Sequence, residues 1–181
     1  MAGWKIIKSK VLVNNYYCKL VVEKVVTSKG KIIPKYFLVS HRDVVMIVPV
    51  TKSGKFVLIR EYKHGIKKSI FLFPAGLVSE KETPRNAAIR ELGEETGYIV
   101  NKIERLGILY EYPSNETQKV FVFLAKNLPE KPNGKKRSEE ETKLYYFFTN
   151  ELEKLVLENR FRLATSVSAF YLAINKLVNK K

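Results

Sequence analysis

Cysteine is almost missing from this chain. Cys18 is the only one, so no internal disulfide can form and a CxxC metal site is excluded. Histidine is nearly as scarce: His41 and His64 stand alone, and neither belongs to an HExxH pair. A histidine-rich zinc centre is therefore not the chemistry to expect. No apolar run reaches the roughly 18 residues a membrane-spanning helix needs. The opening stretch MAGWKIIKSK has neither a long apolar run nor a small-residue cleavage site. The default expectation is a cytoplasmic protein with no membrane association. Acidic residues are also in short supply, 18 against 33 lysines and arginines, for a formal charge of +15. That excess suits anionic partners such as nucleic acid, nucleotides or phosphates. It equally suits a lysine-rich soluble surface, and the lysines are scattered rather than gathered in one block.

The chain has 181 residues, enough for one domain or one domain with a small appendage. Residues 19–26 and 31–39 are β-branched and aromatic, with TSKGK between them, and read as an N-terminal hairpin. DVVMIVPV (43–50) is a buried-strand run, followed by the turn TKSGK and a second strand, FVLIREY. Residues 71–73 form another short apolar segment that stops at Pro74. Thr83-Pro84 has the form of a helix start, N-cap then first helical residue, and Gly97 suits the left-handed position that ends a helix. IERLGILYEYP, KVFVFLAKNL and LYYFFTN read as three further strands. The polar tract 129–141 reads as a loop, and 150–159 and 165–178 as helices.

Against the basic background one stretch is acidic. GLVSEKETPRNAAIRELGEETGY, 76–98, holds five glutamates and three basic residues. On a helix over about 84–96, Glu91 and Glu95 are four apart and share a face, with Glu94 at its edge. Like charges so placed repel by a few tenths of a kcal/mol per pair. A cation between them reverses that sign. Hard carboxylate oxygens select Mg²⁺ or Mn²⁺, which keep positions free for substrate phosphates. Arg90 is four residues from Glu94 and can hold a carboxylate in its ligating rotamer. The PAG kink before the helix offers the Ala75 carbonyl as another ligand. The plain alternative is a solvated helix face.

The spacing is more specific than the composition. Gly76, five residues, Glu82, seven residues, then Arg90-Glu91-Leu92-Gly93-Glu94-Glu95-Thr96-Gly97-Tyr98 resembles the box of the Nudix hydrolases. Every fixed position of that box is occupied; only Tyr98 departs, where Ile, Leu or Val is usual. The resemblance implies an α/β class: an α/β/α sandwich around a mixed sheet over 41–181, with 1–40 as a β-hairpin extension. It implies that Glu91 and Glu95 are the main metal ligands, beside the Ala75 carbonyl. Glu94 becomes a further ligand or a partner of the attacking water, and Glu82 and Arg90 orienting residues.

The flanks are similar to the ADP-ribose pyrophosphatase and nucleoside-diphosphate-sugar group, on the strength of REYKHG, FPAG and YEYPSNETQKVFVFLA. Leu72 stands where that group has Glu, its SPG is reduced to Pro113-Ser114-Asn115, and the last helix reads RLATSVSAFYLAI. These departures bear on sugar specificity, since the box acids are intact. The resemblance gives Glu116 the place of the group's loop glutamate, which can activate the water. Arg60 is the candidate for holding phosphate or ribose, because a guanidinium matches phosphate oxygens bidentately. The implied reaction is Mg²⁺- or Mn²⁺-dependent cleavage of a nucleoside diphosphate linked to another moiety, foremost ADP-ribose to AMP and ribose 5-phosphate. GDP-mannose, dinucleoside polyphosphates and oxidised nucleoside triphosphates are alternatives. A nucleic-acid-binding module on an inactive scaffold is the reading from another class; the intact carboxylates count against it. The group's habit also implies a homodimer joined through the N-terminal strands, which bring Trp4, Tyr16 or Tyr17 toward the substrate base.

Overall fold

The computed structural model describes residues 3–136 and 143–179, so the end of the tract read as a loop over 129–141 lies outside the described residues. The chain forms two compact units.

The first unit comprises Met1–Asp43 and Tyr110–Lys119. Its sheet is antiparallel, in the order β1 (Lys5–Asn14), β2 (Lys19–Val26), β3 (Ile32–Ser40). The hairpin read from the sequence is β2 and β3, and Gly30 takes φ 79° in its turn. β1 was not anticipated. Every residue along it is exposed, so KIIKSKVLVN carries no inside–outside alternation to betray a strand. What ends it is Asn15, whose Oδ1 accepts from the N–H groups of Tyr17 and Cys18 in an Asx turn. The segment Tyr110–Lys119 joins this unit from much later in the chain. Val39 N–H donates to the Asn115 carbonyl at 2.8 Å, Thr117 N–H to the Val39 carbonyl at 3.3 Å, and Asn115 Nδ2 to the Phe37 carbonyl at 2.8 Å. Tyr36 donates its hydroxyl hydrogen to the Ser114 carbonyl.

The second unit comprises Val44–Leu109 and Val120–Lys181. Its strands are β4 (Val44–Thr51), β5 (Phe56–Lys63), β6 (Lys68–Leu72), β7 (Ala75–Leu77), β8 (Glu104–Leu109), β9 (Val120–Leu128) and β10 (Leu144–Phe147). Its helices are α1 (Pro84–Thr96), α2 (Thr149–Leu157) and α3 (Ala164–Val178). The main path runs β10-β5-β4-β9-β8, with β6 paired to β5 and β7 to β4. β4 and β9 are parallel while the other pairs are antiparallel, so the sheet is mixed.

Side chains alternate across each strand. Val45, Ile47 and Val57 therefore face Ala87, Ala88 and Leu92 of α1. Met46, Val48, Phe56 and Leu58 face Leu152 of α2 and Ala169, Phe170 and Ala173 of α3. The result is the expected α/β/α sandwich. The helix that follows β7 is capped as its sequence requires. Thr83 Oγ1 accepts from Asn86 N–H, and Gly97 closes the other end at φ 77° with its N–H on the Gly93 carbonyl. On the opposite face buried Ser166 of α3 accepts from Phe73 N–H at 3.3 Å, fixing the turn between β6 and β7. Among the described residues no helix is long and apolar enough to cross a membrane.

Candidate active site

Two chain segments meet at α1. The strand β7 runs past the middle of the helix, and the loop between them carries Glu82. At residue 76 a side chain would displace the end of Glu91. A Cβ there would lie 2.0 Å from Cδ of Glu91 and 2.1 and 2.4 Å from its oxygens. The Glu91 carboxylate thus rests directly on backbone.

Arg90 organises the acids. Its Nε and Nη2 donate to the two oxygens of Glu82 at 3.0 and 2.8 Å, a bidentate pair. Nη1 donates to Glu91 at 2.7 Å and to Glu94 at 3.0 Å, and Nη2 also reaches the Leu77 carbonyl at 3.1 Å. Glu95 lies further along the helix and accepts from Ala75 N–H at 3.1 Å.

The environments of these carboxylates differ. The Arg90 guanidinium beside Glu82 holds its pKa below the usual carboxylate range. Burial pushes Glu91 up, against the pull of the same arginine. Burial pushes Glu95 up to about 8; its one backbone hydrogen bond opposes that, and Glu91 and Glu61 add to it. Lys63 acts on Glu95 in the opposite, favourable sense. Glu61 and Lys63 are paired at 2.7 Å and share a face of β5. They reach the acids by strand parity, a relation between segments that the box spacing does not contain.

Glu91 and Glu95 are half-buried acids with few hydrogen bonds and spare lone pairs. That is the donor set of a hard divalent cation, and it sits where a Cβ would fill the space. Among the described residues no three acidic, histidine or cysteine side chains already converge on one point. Arg90 holds Glu91 and Glu94, and Ala75 presents its N–H to Glu95. Arg60 lies on the other face of β5 from Lys63, among Ser69, Phe71, Arg160 and Arg162. Glu116 belongs to the first unit, where its N–H donates to the Tyr112 carbonyl at 2.8 Å. Tyr98, the departure in the box, is fully buried against α1, and its hydroxyl meets that of Tyr146 at 3.3 Å. A phenol is tolerated there because its polar end has a partner.

The NUDIX domain model matches residues 40–166. The chain is 29% identical over 179 residues to a methanol dehydrogenase activator of Bacillus methanolicus, covering 98% of this chain and 96% of that one. It is 35% identical over 109 residues to an ADP-ribose pyrophosphatase of Bacillus subtilis (strain 168); that match spans 60% of this chain and 58% of the relative. The crystal structure of an ADP compounds hydrolase superposes with a TM-score of 0.85 at 25% identity, over 99% of this chain and 97% of that one.

The Gly76 cradle is testable by itself. In Gly76→Ala the flexible end of Glu91 must give way while the backbone stays. Manganese affinity, measured by calorimetry, is expected to fall about 10–100-fold, with an unchanged far-UV circular dichroism spectrum. An unchanged affinity would show that the Glu91 carboxylate is not a ligand.

Proposed function

The chain belongs to the Nudix hydrolase family, and on that premise we propose that it cleaves the diphosphate bond of ADP-ribose to give AMP and ribose 5-phosphate. The observation that carries this reading is the complete acidic box, with Glu91 seated on Gly76 and Arg90 holding three of its carboxylates. The ADP-ribose pyrophosphatase and the ADP compounds hydrolase support the choice of an ADP-linked substrate.

Glu91, Glu95, Glu94 and the Ala75 carbonyl would hold Mg²⁺, or Mn²⁺ in its place. Such an ion supplies neutralisation of phosphate charge and a lowered pKa for bound water. The rest falls to the chain's own groups. Arg90 keeps Glu91 and Glu94 from swinging into solvent, and Gly76 allows the close approach. Lys63 adds positive charge on the same side of β5 as Glu95, where a diphosphate would need it. Glu116 or Glu94 accepts the proton of the attacking water. Glu116 suits that task because hydrogen bonds from β3 tie down its two neighbours, Asn115 and Thr117.

We also propose a homodimer formed through the first unit. Among the described residues β1 has an unpaired edge, and Ile6, Ile7, Val11, Leu12 and Val13 along it are exposed. An edge strand this apolar is a site for another chain. The exposed rings of Trp4, Tyr16 and Tyr17 are then candidates to stack on the substrate base.

A hydrolysis screen with product identification, over ADP-ribose, GDP-mannose, dinucleoside polyphosphates and oxidised nucleoside triphosphates in Mg²⁺, tests the substrate. Metal-dependent release of AMP from ADP-ribose at the highest kcat/KM is the expected result. No turnover of any of them, with retention of nucleic acid in a gel shift, would favour the binding-module alternative.

Three outcomes follow from the assigned roles. Glu95→Gln keeps the shape of the side chain and loses the charge, so turnover should fall at least about 10²-fold with the fold intact. Rates near wild type at saturating Mg²⁺ would remove Glu95 from the ligand set. Glu116→Gln should lower kcat by about 10²–10⁴ and leave KM within a few-fold, the pattern of a group that acts in the transition state. An unchanged kcat would pass the role to Glu94. In light scattering at micromolar concentration the protein should run at twice the 20.9 kDa of one chain, and a monomer mass would defeat the dimer.

A further inference from the structure

The face of β5 opposite the acidic box carries a second, differently charged feature. Arg60 and Phe71 are register partners on β5 and β6, and the Arg60 guanidinium lies 5.7 Å from the centre of the Phe71 ring. Across from them, the turn between α2 and α3 is pinned from below. Phe161 is buried between Phe73 and Phe170, with ring centres 5.6 and 6.5 Å away. Both Arg160 N–H and Phe161 N–H donate to the Leu155 carbonyl, at 2.8 and 3.0 Å. Asn159 enters the turn at φ 54°, in the left-handed region. With Phe161 turned inward, its neighbours Arg160 and Arg162 are exposed. Arg60, Ser69, Asn159, Arg160 and Arg162 line a cavity of about 310 Å³. That volume lies at the small end of ligand sites, which start near 300 Å³.

Three guanidiniums around one concavity repel each other unless an anion enters. One is partly answered, since Arg160 pairs with Glu158 at 3.1 Å. Among the described residues Arg60 and Arg162 have no carboxylate within ion-pair distance. The plain alternative is three separately solvated arginines. Against it stand the shared concavity, the anchored turn and the hydroxyl and amide of Ser69 and Asn159 on the same wall. A concave site lined by one sign of charge focuses its field on a counter-ion. Guanidinium forks and hydroxyl donors match the oxygens of a phosphate.

We propose that this cavity is a binding site for a phosphate dianion, free or as a phosphomonoester, separate from the acidic box. The two sites lie on opposite faces of one strand and differ in chemistry. The box takes an anion only through a cation; the arginine cavity takes it directly. The proposal does not depend on the substrate of the box.

The test is a phosphate titration of the full chain in EDTA at low, constant ionic strength, followed by amide chemical shifts. Inorganic phosphate, ribose 5-phosphate and AMP are titrated separately, with chloride as the control. Saturable shifts at Ser69, Phe71, Asn159, Arg160 and Arg162 are expected, and the tightest of the three ligands distinguishes a free ion from a monoester. The doubly substituted Arg160→Ala, Arg162→Ala chain should bind at least tenfold more weakly. Arg162→Lys, which keeps the charge at an exposed position, should bind several-fold more weakly because the fork is lost. Glu95→Gln should leave the affinity unchanged. Shifts confined to the box, equal shifts with chloride, or an affinity unaffected by the double substitution would each overturn the proposal.

Discussion

Arg90 gathers Glu82, Glu91, Glu94 and the Leu77 carbonyl with one guanidinium, and the arrangement of the box follows from that. The bond to Leu77 ties the helix to β7, and the pair with Glu82 ties it to the intervening loop. Without a cation at its centre this cluster would lose the repulsion of Glu91 and Glu94 only by letting one swing away. The same arginine has opposite consequences for two acids. Glu82 is lowered because the hydrogen bonds outweigh desolvation, while Glu91 is raised because desolvation outweighs them. Glu95 accepts from the Ala75 N–H, and burial raises it against that bond. Glu91 and Glu95 are thus the two box acids whose charge burial opposes.

Around that cluster the sheet works as a partition. β5 sends Val57, Glu61 and Lys63 toward the α1 side and Phe56, Leu58 and Arg60 toward the side of α2 and α3. One strand therefore serves an acidic surface and a basic one, because its side chains alternate. The formal charge of +15 does not describe either surface. The first unit adds a different kind of organisation. Glu116 reaches it through a segment that leaves the second unit after β8 and returns at β9, and β3 holds that segment by backbone hydrogen bonds. A division of the chain at residue 40 misses this, because the unit is discontinuous in sequence.

Local signals are decisive where a single residue type has one reason to be there. Thr83, Pro84 and Gly97 marked the ends of α1 because capping and left-handed geometry are local demands. The box spacing marked the acids because a helix converts intervals of three and four into a shared face. β1 escaped notice because a strand exposed on both faces has no alternation, and β7 because three residues are too few for any period.

The amino-acid sequence by itself determined the family, the helix that carries the acids and the identity of Glu91, Glu94 and Glu95, all of which depend on neighbours within a few turns. Tertiary structure alone decided that Gly76 must lack a Cβ to seat Glu91, that Lys63 and not Arg60 shares a face with Glu95, and that Arg60 meets Arg160 and Arg162. Each of these turns on the distance between groups far apart in the chain. Pairing register and packing set such distances, and no local pattern records them.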